Sequence, residues 1–77
     1  MKNTTQLPTL LLKKAVHRKE VQLMLYFSFN NVIKEKIKQL GGYKWSDTLR
    51  AWYTLFTSEN IILLTNALTN DVQFQLD

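Results

Sequence analysis

A chain of 77 residues, 45% hydrophobic and without cysteine, makes one small domain that must hold together without disulfides or a thiolate metal site. No apolar run approaches a membrane span, and the polar start Met1–Gln6 lacks the apolar core of a signal peptide, so a cytoplasmic protein with no membrane partner is expected. The net charge of +4 is unevenly spread: all ten Lys/Arg lie in residues 1–50 against three acids, a balance of +7, and residues 51–77 carry three acids alone, −3. A one-sided basic distribution is the electrostatic footprint of a polyanion binder, although an ordinary solvated surface can carry it too.

Residues 1–8 read as a disordered lead closed by Pro8. Thr9–Val16 and Glu20–Phe29 read as strands joined by the short charged link His17-Arg18-Lys19. In the second, Val21, Leu23, Leu25, Phe27 and Phe29 alternate with more polar positions, the clearest period of two in the chain. Leu10 and Leu12 extend that apolar face onto the first strand, where the run Leu10–Leu12 is also compatible with a helix start. Asn30 or Asn31 then caps a helix whose stripe is Val32, Ile33, Ile37 and Leu40. Lys34 and Lys38 share its outer face with Lys36 near the edge, and Gly41 is placed as an αL stop.

Gly42–Tyr53 follows, holding both tryptophans around the polar centre Ser46-Asp47-Thr48. It reads as a β-hairpin. With Asp47–Arg50 as a four-residue loop, Ser46 faces Ala51 and Trp45 faces Trp52. Tyr43, Trp45, Trp52 and Thr54 then share one face, and Lys44, Ser46, Ala51 and Tyr53 the other. The tryptophan pair is read first as a core clamp, with an aromatic platform for bases or a partner as the alternative. The strand continues to Phe56. Thr57 or Ser58 caps a second helix with Ile61, Leu64, Ala67 and Leu68 on one face, widened by Ile62, and Thr69-Asn70 ends it with Asn70 in αL. Val72, Phe74 and Leu76 alternate with Gln73 and Gln75, which suggests a short last strand. The expected class is therefore α+β: an antiparallel sheet in the order ββαββα, plus this possible strand, covered on one face by two helices and open to a partner on the other. The expected core is Phe27, Ile37, Leu40, Trp45, Trp52 and Leu64.

The residues offer no catalytic constellation. His17, the one histidine, has no second ligand to share a metal, the carboxylates are scattered, and Gly41-Gly42 has no Lys-Ser/Thr at phosphate-loop spacing. A binding module without cofactor, metal or small-molecule substrate is expected rather than an enzyme. Lys13, Lys14, Arg18 and Lys19 cluster at the first hairpin, Lys44 and Arg50 flank the second, and Lys34 and Lys38 lie on the first helix. Together they are the candidate phosphate contacts, with Arg50 the best candidate for a base edge.

Several segments carry a family resemblance. They are Ala15-Val16-His17-Arg18-Lys19, Tyr26-Phe27-Ser28-Phe29-Asn30, the helix Ile33–Leu40, Gly42-Tyr43-Lys44-Trp45-Ser46 and Arg50-Ala51-Trp52-Tyr53. This set, over roughly residues 9–70, resembles the short domain that opens Bacteroides-type tyrosine recombinases, the phage-type integrases of bacterial mobile elements; its Trp-Ser and Arg-x-Trp-Tyr parts are the more specific. A looser likeness runs to the HARP domain of annealing helicases. The resemblance implies a non-catalytic accessory domain for DNA integration and recombination. It would bind arm-type duplex DNA, or help assemble the complex, with the core-binding and catalytic domains following in a longer polypeptide. The helicase likeness implies single-strand binding instead. Lys19 stands where the family often has glycine, and Ser28 where it often has tyrosine.

Overall fold

The computed structural model describes residues 7–77. The lead expected at 1–8 therefore lies outside the described residues as far as Gln6. Its last residue is tied into the fold, because the Gln73 N–H donates to the Pro8 carbonyl at 2.8 Å.

The elements are β1 Thr9–His17, β2 Glu20–Tyr26, α1 Asn31–Leu40, β3 Lys44–Ser46, β4 Ala51–Leu55, α2 Ser58–Leu68 and β5 Gln73–Leu76. The class is α+β, as the alternation and caps imply. The five strands form one sheet in the order β3-β4-β2-β1-β5, antiparallel except that β5 runs parallel to β1. The last strand is thus real, and it sits at the edge farthest from the tryptophan hairpin.

Both helices cover one face. Leu10 and Leu12 of β1, Leu23 and Leu25 of β2, Ile33 and Ile37 of α1, and Leu64 and Leu68 of α2 build the core with Val72, and all are buried. Phe27, Leu40 and Trp52 pack against it only partly buried. Two residues expected on the helix stripes point away from it: Val32 is 57% exposed and Ile62 56%. Each stands one residue, about 100° of helix, from a neighbour that faces the sheet.

The helix starts follow their caps. Asn30 Oδ1 accepts from the Ile33 N–H, and Thr57 Oγ1 from the Asn60 N–H, each at 3.1 Å. Such a cap contributes about 1 kcal/mol. The cap at Asn30 also explains why β2 stops at Tyr26 and not at Phe29: the chain leaves the sheet to present Asn30, β1 pairs no residue beyond Tyr26, and Phe29 swings outward. The helix ends differ from expectation. Gly41 has positive φ, 77°, but ψ of 157°, a region that glycine alone populates easily and that is not αL. Asn70 is not left-handed; α2 closes on Thr69 in the right-handed region, with the Asp71 and Val72 N–H groups both donating to the Leu68 carbonyl.

The link between β1 and β2 is a two-residue turn across the His17–Glu20 pair, and both of its residues, Arg18 at φ 55° and Lys19 at φ 68°, are left-handed. This is the hairpin turn whose twist suits the strands and which glycine fills with least strain. An L-residue there costs roughly 1–2 kcal/mol. Lys19→Gly should therefore raise stability by about 1 kcal/mol, once the greater freedom of glycine in the unfolded chain is set against the relief. The urea midpoint checks this, and an unchanged or lower midpoint would show that the turn is unstrained.

Candidate nucleic-acid interface

The tryptophan hairpin has the register that its loop length implies. Lys44 pairs with Tyr53, Trp45 with Trp52 and Ser46 with Ala51. Ser46 Oγ accepts from the Leu49 N–H at 3.1 Å and shapes the loop, which Arg50 closes in a left-handed conformation at φ 55°. Thr54, buried behind the hairpin, donates from Oγ1 to the Gly42 carbonyl, and Asn60 Nδ2 donates to the Leu55 carbonyl at 2.9 Å, tying β4 to the turn before β3 and to α2.

Trp45 departs from its expected place in the core. It is 44% exposed, while Trp52, its edge-to-face partner at 5.5 Å, is half-buried. The cause is strand order. β3 is a three-residue edge strand, and the buried residues of both helices meet the leucines of β1 and β2, so nothing is left to cover the edge. An open groove of about 440 Å³ forms there over Leu25, walled by Phe27, Phe29, Trp45 and Trp52, with Lys34 and Arg50 at its polar side. Phe29 is 81% exposed, and Lys34 Nζ lies 5.6 Å from its ring centroid. The Trp45 indole N–H donates to Asp47 Oδ1 at 2.8 Å, which fixes the ring at the rim.

The other face of the sheet carries no helix. Its own side chains close it in part: Met24, Ala51 and Tyr53 are buried, flanked by Ala15 and Tyr26. This second cluster replaces the bare solvated face expected from the alternation. The pairings set Lys44, Tyr53, Met24 and Lys13 in one transverse row across β3, β4, β2 and β1. The two lysines end the row, roughly 14 Å apart at about 4.8 Å per strand. Arg18 reaches back over the middle, donating from Nε to the Tyr53 hydroxyl at 3.1 Å, and the His17 ring packs edge-on to Tyr53 at 4.7 Å.

The candidate cations therefore do not converge on one surface. Lys13, Arg18 and Lys44 belong to the open sheet face, with Lys19 at its turn. Lys34 and Arg50 belong to the groove. Lys14 is on the helix-covered side, 4.9 Å from the Phe56 ring centroid, and Lys38 faces outward from α1. Among the described residues most of them have no acidic partner. Lys13 is 3.7 Å from Asp77 and Lys38 3.9 Å from Glu35, both pairs well exposed and worth little, whereas the close pair, Lys36 to Asp71 at 2.6 Å, ties α1 to the start of the β5 segment.

One titratable group stands out behind the hairpin. The Tyr43 hydroxyl is buried without a hydrogen-bond partner among the described residues, and burial pushes its pKa up from 10.0 to about 12. Below pH 10 the phenol is neutral in both folded and unfolded chains. From pH 10 to about 12 the unfolded chain ionises first, so stability falls as pH rises. Tyr43→Phe should remove that part of the alkaline loss, which parallel urea titrations of the two proteins would show; identical pH profiles would contradict the buried phenol.

Comparisons with protein-family models, with curated proteins and with solved structures each return no match. No helix among the described residues is long and apolar enough to cross a membrane.

Proposed function

We propose that this chain is a non-catalytic, cytoplasmic DNA-binding module, the N-terminal accessory domain of a bacterial tyrosine recombinase, that lays its open sheet face against duplex DNA. The observation that carries this reading is the transverse row Lys44–Tyr53–Met24–Lys13 with Arg18 above its centre. Its end lysines stand roughly 14 Å apart, close to the ~12 Å width of the major groove, so that each can meet the phosphates of one wall. Arg18, anchored at one nitrogen, keeps its other guanidinium donors for a phosphate or a guanine edge. Lys19, in the β1–β2 turn, lies off the line of the row at one end of the sheet. Lys14 and Lys38, on the helix side, contribute only to the general field. Recombination chemistry would belong to core-binding and catalytic domains joined to this one. Fluorescence anisotropy with labelled duplex at low and moderate salt tests the reading: affinity should fall steeply with salt as condensed counterions are released, and binding indifferent to salt would count against it.

A second reading, docking onto those downstream domains, is favoured by the exposed apolar side chains Ile62 and Leu63 on α2 and Leu76 on β5. It predicts amide shifts at these residues when the downstream domains are added.

A further inference from the structure

We infer that the groove at the β3 edge is a separate site for one unpaired nucleotide of a DNA strand, its base stacked on the exposed aromatic rings and its phosphate held by Lys34 and Arg50. This deepens the DNA-binding reading and rests on it. The groove lies on the helix-covered side, away from the row proposed to meet the duplex.

Three observations converge. Phe29 and Trp45 are far more exposed than packing requires, at 81% and 44%, and they stand beside each other on one groove and not scattered over the surface. A π-face held open is what a base needs, and stacking is indifferent to which base arrives. Both rings are also positioned from outside the core. Trp45 is set by its N–H bond to Asp47 and by its edge contact with Trp52, and Phe29 projects from the segment that Asn30 caps. Finally, Lys34 and Arg50 line the same groove, and neither has an acidic partner within ion-pair distance among the described residues. An occupant that is flat and aromatic at one end and anionic at the other satisfies both sets of groups, and a nucleotide is such an occupant. An apolar peptide would leave Arg50 without a counterpart and Lys34 with the Phe29 ring alone. The volume of about 440 Å³ falls in the range of small-ligand sites, which begins near 300 Å³.

The chain supplies its own reporter, since both of its tryptophans, Trp45 and Trp52, line this groove. The test titrates the protein and Phe29→Ala with three probes: an oligothymidylate, an abasic strand of equal length and charge, and a duplex. Phe29 is exposed enough that its loss leaves the fold intact. The expected result is quenched tryptophan emission with the oligothymidylate, binding tighter than to the abasic strand, and about a tenfold loss of that binding in Phe29→Ala, with duplex affinity unchanged. Equal affinity for the abasic strand, or an oligothymidylate affinity that Phe29→Ala does not alter, overturns the nucleotide site while intact duplex binding leaves the domain's DNA role standing. Failure to bind any of the three probes, duplex included, overturns both.

Discussion

A protein carrying Lys13→Gln, Arg18→Gln and Lys44→Gln together should bind duplex DNA on the order of a thousandfold more weakly than the parent, at about tenfold per charge-assisted contact. The three side chains come from different elements, β1, the β1–β2 turn and β3, and are brought to one face only by the strand order. The fold should survive. Lys13 loses a long exposed pair with Asp77, and Lys44 is an exposed edge position without an acidic partner among the described residues. Arg18 loses a hydrogen bond to Tyr53, worth about 1 kcal/mol. The control is Lys14→Gln with Lys38→Gln, which removes two charges from outside the open face and should cost no more than their share of the general field. If that control weakens binding as much as the triple replacement does, net charge and not the open face governs affinity.

The second large effect is on stability. Ile37→Ala should cost about 2–5 kcal/mol, the transfer term for the lost carbons plus the cavity they leave. Ile37 is fully buried and, with Ile33, is one of the two buried residues that anchor α1 to the sheet. A domain of this length has about 4–12 kcal/mol to lose, so up to half or more of it goes with one side chain. The neighbouring Val32→Ala, at a position 57% exposed, should stay within about 0.5 kcal/mol. Urea unfolding with an unchanged slope would read both, and similar losses at the two positions would mean that α1 is rotated from the orientation described.

These outcomes separate what was legible in the residues from what was not. Local rules had physical force. The four-residue loop fixed Trp45 opposite Trp52, the side-chain oxygens of Asn30 and Thr57 set the helix starts, and the alternation in β2 put Leu23 and Leu25 in the core. Long-range order had no local signal. Nothing near Gln73–Leu76 specifies that it runs parallel to β1 and takes the far edge. With strand order unknown, the exposure of Trp45 was hidden, and so was the row joining Lys44 to Lys13. The groove has a nearer cause. The alternation continues through Phe29, whereas Asn30, one of the two cap candidates, is the cap and requires the chain to leave the sheet before it. The Arg18–Tyr53 hydrogen bond, spanning 35 positions, had no sequence signature.

Chemical-shift mapping of the domain titrated with duplex DNA tests the central claim most directly. Duplex on the open face should move the Met24 methyl, the ring signals of Tyr26 and Tyr53 and the amides of Arg18 and Lys19, and leave Ile62 and Leu63 on the far side of α2 unmoved. Shifts centred on α1 and α2, with Met24 and Tyr53 unchanged, would contradict it.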